Sequence, residues 1–128
     1  MKSNFNDAAN HFQSGQINKA KEICLEILKT EPDNFNVLHL LGVIAFQTKN
    51  YLKSVEIITK AIEINPNNAE VYNFRGIVLV HLNKLEEAIQ NWNKAITINP
   101  NGTLNLGTNG KIQATNIDLI KHPQVTKI

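Results

Sequence analysis

Proline recurs at positions 32, 66 and 100, 34 residues apart, and its neighbourhood recurs with it. Residues 61–67 read AIEINPN and residues 95–101 read AITINPN. A shift of 34 also aligns Ala20, Ser54 and Ala88 as small residues, and Ile17, Tyr51 and Leu85 as large apolar ones. Ile27, Ala61 and Ala95 share a slot, followed by Leu28, Ile62 and Ile96. Gly42 aligns with Gly76 and with Ala8, while Cys24, Ile58 and Trp92 fill one apolar slot with side chains of growing size. Enrichment in Ile and Asn cannot place proline and small residues in phase three times. A true internal repeat of this period means stacked supersecondary units, because no single unit can bury its apolar face alone.

Within each unit the apolar spacing is helical. Ser54, Ile57, Ile58, Ala61 and Ile62 step by three and four, as do Ala88, Trp92, Ala95 and Ile96. A preceding helix is predicted from Phe35 to about Thr48 and from Ala69 to about Leu82. Inner turns are expected at SGQ (14–16), TKN (48–50) and LNK (82–84). Asn50 and Asn83 are expected to cap the helices that follow, with Asn83 and Glu86 at capping-box spacing. Each proline stops a helix because it has no N–H to donate and disfavours helix in the residue before it. The asparagines beside it are read as tolerating left-handed backbone. Glu56 and Lys60 form an expected i,i+4 ion pair.

The pattern resembles the tetratricopeptide repeat family, in which each 34-residue unit is a helix–turn–helix. Residues 69–100, AEVYNFRGIVLVHLNKLEEAIQNWNKAITINP, carry the resemblance best, with Tyr72, Gly76, Ala88, Trp92, Ala95 and Pro100 at family positions. Repeat 2 matches at Leu38, Leu41, Gly42, Ala45, Ala61 and Pro66. Repeat 1 keeps Ala8, Ala20 and Pro32 but has Asn4 and Asp7 where apolar residues are expected. The resemblance implies an all-α solenoid of three repeats, about 1–34, 35–68 and 69–101, forming one domain over residues 1–101. Gly42, Gly76 and the repeated alanines are expected to let helix axes approach. Leu41, Tyr72, Ile58 and Trp92 are expected to fill the space between repeats.

Residues 102–128 break the pattern and read as a separate, irregular tail. Asn109-Gly110 signals a hairpin; a two-residue turn there sets Leu104 and Leu106 opposite polar partners, and a three-residue loop would repair the register. A short helical turn from Thr115 to before Pro123 is the alternative. No polar capping helix is evident, so the face of repeat 3 around Ile89, Ile96 and Ile98 is expected to be covered by the tail or by a partner, or to continue into a longer protein; self-association through it is a further expectation.

Chemistry-bearing constellations are scarce. The formal net charge of +2 comes from scattered side chains, with no basic block to grip nucleic acid. Val37 to Phe46, the most apolar run, is about half a bilayer span. No secretory signal is visible in the polar N-terminus. A lone cysteine, Cys24, excludes a disulfide framework and sits in an apolar slot, so it reads as a core residue. These features give a cytoplasmic protein as the expectation. His11, His39, His81 and His122 lack i,i+3 or i,i+4 partners, so no metal site is expected. Glu86 and Glu87 suit a helix start. Gly102, Gly107 and Gly110 lack phosphate-loop spacing, and Asn101-Gly102-Thr103 reads as a turn. No cofactor and no enzymatic activity are expected.

What remains is a surface. In the resembling family the first helix of each unit lines a concave groove that receives a peptide or partner helix. Carried over by position, that groove comprises Phe12 and Gln13, then Asn36, His39, Val43, Phe46 and Gln47, then Glu70, Asn73, Ile77, Val80 and His81. Family members that clamp acidic chaperone tails use lysine and arginine there; Phe5, Ala9, Leu40, Glu70 and Phe74 occupy those positions here. Leu40 and Phe74 also replace the asparagine ladder of sugar-transferase arrays. The expected function is a non-catalytic scaffold binding a protein or peptide partner. The alternative is the leading array of a larger multidomain enzyme, such as a bacterial glycosyltransferase or sulfotransferase, whose catalytic part lies outside this chain.

Overall fold

A computed structural model describes residues 3–101. They form six helices: α1 (Phe5–Gln13), α2 (Ile17–Thr30), α3 (Phe35–Gln47), α4 (Tyr51–Ile64), α5 (Ala69–His81) and α6 (Leu85–Ile98). Among the described residues there is no strand. The fold class is all-α, three helix–turn–helix repeats, as the period of 34 implies. The hairpin and helical-turn readings of the tail lie outside the described residues. By compactness the chain divides between Pro66 and Asn67, so α1–α4 and α5–α6 are two units.

Three turns repeat with the sequence period. Gly15, Lys49 and Asn83 have φ of 82°, 65° and 59°, the left-handed region, at the same position of each inner turn. Each N–H donates to the carbonyl three residues back, at Phe12, Phe46 and Val80 respectively. The next N–H, of Gln16, Asn50 or Lys84, reaches five residues back to His11, Ala45 or Leu79. This pair of bonds satisfies the carbonyls that a helix end leaves open. Asn83 is therefore the left-handed residue of the turn and not a helix cap. Asn50 does stand at the start of α4, but its side chain makes no capping bond, and neither does Lys84 before α6. Both expected caps fail for one reason: the second helix of a repeat emerges directly from this turn.

Capping falls on the first helices instead. Asn34 accepts from the Val37 N–H at 3.1 Å, and Asn68 from the Val71 N–H at 3.2 Å. At α1 a reciprocal box forms, with Asp7 N–H donating to Asn4 at 3.1 Å and Asn4 N–H to Asp7 at 3.0 Å. This accounts for two departures from the repeat pattern. Helix α1 has 9 residues where α3 and α5 have 13, and Asn4 and Asp7 open a helix that starts one turn late. At the far end of each repeat, Glu31, Asn65 and Asn99 are extended, with φ between −131° and −138°. Each precedes a proline, whose ring forces that conformation. The asparagines beside the prolines thus use no left-handed backbone there. On the α4 surface Glu56 pairs with Lys53 at 3.2 Å, not with Lys60, and the pair is exposed and adds little.

In the first unit, Ala8, Ala20, Ile23, Cys24, Ile27, Val37, Leu41 and Ile44 form one buried cluster, with Phe5, Phe12 and Leu40 packed on it. Burial raises the Cys24 thiol to about 11, so it stays protonated and behaves as a small hydrophobe. Helices α3 and α4 meet at Gly42, where a Cβ would lie 2.6 Å from Ile58. Ser54 donates its hydroxyl to the Gly42 carbonyl at 2.7 Å. In the second unit a Cβ on Gly76 would lie 2.6 Å from Trp92 Nε1. Ile58 and Trp92 therefore fill space inside their own repeat, where the glycine makes room. Ala61, Ala88 and Ala95 are buried, as close packing requires. No helix of the described residues is long and apolar enough to cross a membrane.

Candidate partner-binding surface

The first helices carry the expected surface residues on regular stripes. On α3, Asn36, His39, Val43 and then Phe46 and Gln47 follow the three-and-four spacing that gathers side chains on one side. Asn36 and Gln47 are exposed, while His39, Val43 and Phe46 are half-buried. The His39 ring lies 6.2 Å from Phe35, and Phe46 lies 5.5 Å from Tyr51, tilted by 52°. Phe46 thus has a supported edge and an accessible remainder. On α1, Phe12 is half-buried against the core cluster and Gln13 is exposed.

On α5 the same stripe reads Glu70, Asn73, Ile77, then Val80 and His81. Glu70, Val80 and His81 are exposed. The His81 Nδ1 lies 3.0 Å from the Ile77 carbonyl. Ile77 is only 6% exposed, a core-like position. Asn73 is 8% exposed, and its Oδ1 is buried without a hydrogen-bond partner. Trp92 Nε1 is the other such atom among the described residues. A buried acceptor left unpaired costs on the order of 1–3 kcal/mol, so native proteins retain few of them.

A second cluster on α5 and α6 was not anticipated from sequence. Arg75 Nε donates to Asn91 Oδ1 at 2.7 Å, and Asn91 Nδ2 donates to the Glu87 carbonyl at 2.8 Å. The guanidinium sits 5.7 Å over the Tyr72 ring. Burial pulls the Arg75 guanidinium below its ordinary value, while Tyr72 and Glu87 act in the opposite direction. The signal was present: at a shift of 34, Arg75 and Asn91 stand where repeat 2 has Leu41 and Ile57. In the first unit those two residues line a pocket of about 170 Å³ with Leu25, Ile44 and Ala45, rimmed by Lys21 and Lys53. Among the described residues no group of three or more His, Cys, Asp or Glu is placed to hold a metal.

Family models of the tetratricopeptide repeat match residues 11–76 and 69–101. The chain belongs to the tetratricopeptide repeat family. No curated protein sequence matches it significantly. Among solved structures, the first tetratricopeptide domain of Spaghetti (RPAP3), bound to the HSP90 peptide SRMEEVD, is similar with a TM-score of 0.79 at 21% identity. That match covers 96% of this chain and 90% of the other. A mutant O-GlcNAc transferase from Thermobaculum terrenum gives a TM-score of 0.73 at 27% identity over 76% of this chain. MamA gives 0.70 at 22% identity over 73% of this chain. This chain covers only 19% of that transferase and 54% of that MamA structure. Every one of these likenesses supports the same helical-repeat fold.

Proposed function

We propose that this chain is a non-catalytic scaffold that holds an extended peptide or partner segment along the first helices of its repeats. The observation that carries the reading is Asn73, a carboxamide acceptor on the predicted groove stripe, buried and without a partner. An extended peptide offers backbone N–H groups at regular intervals, and one of these would satisfy it. Phe46 and the half-buried Val43 supply apolar contact on the equivalent stripe of α3, and Asn36, His39, Gln47 and His81 supply further polar contacts. Glu70 is the only formal charge on these stripes, so a neutral or basic segment suits them better than an acidic one. The HSP90 peptide of the Spaghetti complex is acidic, and the positions that would need lysine or arginine here hold Phe5, Ala9, Leu40, Glu70 and Phe74.

The reading is tested with Phe46→Ala combined with Asn73→Ala in affinity capture. The double variant should lose partner binding by at least tenfold while its helix content is unchanged. Equal capture by the double variant would sink the groove assignment. A second reading is favoured by the likeness to the O-GlcNAc transferase: the chain serves as the leading array of a larger enzyme. Reading the coding frame beyond Ile128 separates the two, since a transferase domain there supports the second. A cytoplasmic setting and self-association through the half-buried Ile89, Ile96 and Ile98 belong to the same proposal.

A further inference from the structure

We propose that the first unit binds an acidic partner segment on the side of α3 turned away from the groove, in a pocket that takes one leucine-sized side chain flanked by carboxylates. The pocket has a volume of about 170 Å³ and is lined by residues of α2, α3 and α4. Leu41, Ile44, Ala45 and Thr48 line it from the end of α3, at the three-and-four spacing that gathers side chains on one side. Leu41 is two residues from both His39 and Val43 of the groove stripe, about 200° round a helix of 3.6 residues per turn. The two surfaces are therefore separate.

Three features define the occupant. First, the walls are apolar: Leu41 and Ile44 are buried, Ile57 is half-buried, and Leu25 from α2 keeps 46% of its surface exposed. An apolar cavity of roughly 150 Å³ holds a benzene ring, so this one has room for a single leucine or phenylalanine side chain. Second, the charged residues lining it are Lys21 from α2 and Lys53 from α4, with no carboxylate in the lining. Lys21 makes no ion pair among the described residues. Lys53 meets Glu56 at 3.2 Å, but both side chains are more than half exposed, so exchanging Glu56 for a partner's carboxylate costs little. Third, Lys53 stands in the first turn of α4, which has no acidic residue there and no side-chain cap from Asn50. The positive end of a helix favours a negative group at that place. An apolar side chain with Asp or Glu beside it suits all three features, and a neutral or basic segment suits only the first. The period of the fold does not impose this chemistry. At a shift of 34, Lys21 and Leu25 become Val55 and Thr59, while Leu41 and Ile57 become Arg75 and Asn91.

The test uses the full chain and a blocked peptide, acetyl-Gly-Glu-Leu-Glu-Gly-amide, followed by NMR at the methyl groups of Leu25, Ile44, Ala45 and Ile57. The peptide should shift these resonances saturably. Replacing its leucine by alanine should weaken binding by about tenfold or more, the worth of one buried leucine side chain. Replacing both glutamates by glutamine should weaken it about fivefold, as expected for two exposed charge pairs. Lys21→Gln with Lys53→Gln, at exposed positions whose change circular dichroism should show to leave helix content intact, should abolish the preference for glutamate over glutamine. Asn73→Ala, on the groove stripe of the second unit, should leave peptide binding unchanged, which separates failure here from failure of the groove reading. The absence of a saturable shift would overturn the proposal, as would equal binding of the alanine or glutamine peptide, or an undiminished preference in the folded lysine variant. Equal loss with Asn73→Ala would place the peptide in the groove and overturn it too. Hexanoate binding as tightly as the peptide would make the occupant a fatty acid, and shifts of the same methyl groups on diluting the free chain would make it a second copy; either result contradicts the proposal.

Discussion

Repeats 2 and 3 have the same backbone and different interiors. Helices α3 and α5 each have 13 residues, α4 and α6 each have 14, and the turns between them carry the same two bonds. Asparagine caps the first helix of both, and a pre-proline extended residue ends the second. Inside, repeat 2 sets Ile58 on Gly42 and ties the helices with the Ser54 hydroxyl. Repeat 3 has Ala88 in that slot, sets Trp92 on Gly76 and leaves the indole N–H unpaired. Where repeat 2 has Leu41 and Ile57, repeat 3 has Arg75 hydrogen-bonded to Asn91. A few positions with steric or backbone reasons set the repeat geometry. The remaining positions are free to differ in chemistry, and at Arg75 and Asn91 repeat 3 carries polar groups where repeat 2 is apolar.

The glycine contacts give the largest expected effect. Gly42→Ala and Gly76→Ala each drive a Cβ to 2.6 Å from a buried side chain. Each should cost about 1–3 kcal/mol as overpacking, offset in part by alanine's better helix propensity. Gly76→Ala should be the worse of the two, because the indole cannot bend away as an isoleucine end can. Urea denaturation of both variants measures the difference; equal stability to the parent would mean that the helices need no such close approach.

The polar pair should come next. Asn91→Ile alone takes away the acceptor of Arg75 Nε in a half-buried site and should cost about 1–3 kcal/mol. Adding Arg75→Leu converts the pair to that of repeat 2 and should recover most of the loss. A double-mutant cycle by denaturation checks this, and additive losses would show that the two residues do not act as a unit.

The smallest effect is at the left-handed turn residue. Lys49 holds φ at 65°, a conformation that glycine adopts without steric cost. Lys49→Gly should raise stability by about 0.5–1 kcal/mol, and Asn83→Gly by less, since asparagine tolerates this region. Thermal melts suffice. A destabilised Lys49→Gly chain would contradict the turn geometry.

Much of this architecture was legible before any coordinates. Proline, glycine and alanine at fixed intervals act through sterics, and sterics depend on residue type alone. The caps were not legible from the same rules. Asn50 and Asn83 precede helices, as caps do, but the bonds closing the inner turn had already claimed that backbone. The left-handed position holds Gly15, Lys49 and Asn83 in register; glycine and asparagine are residue types that favour it, and Lys49 is not. Asn4 and Asp7 looked like defects until the late start of α1 explained them. On the surface, Asn73 was selected by its position in the resembling family, and its burial depends on packing that one sequence cannot show. The apolar stripe residues depend on the same packing, and Ile77 proves to be buried.

Hydrogen–deuterium exchange of the chain with and without its captured partner tests the central claim most directly. Binding along the first helices should protect the amides of α3 and α5, around residues 36–47 and 70–81, and this protection should disappear with Phe46→Ala and Asn73→Ala. Protection confined to α2, α4 and α6 would contradict the account.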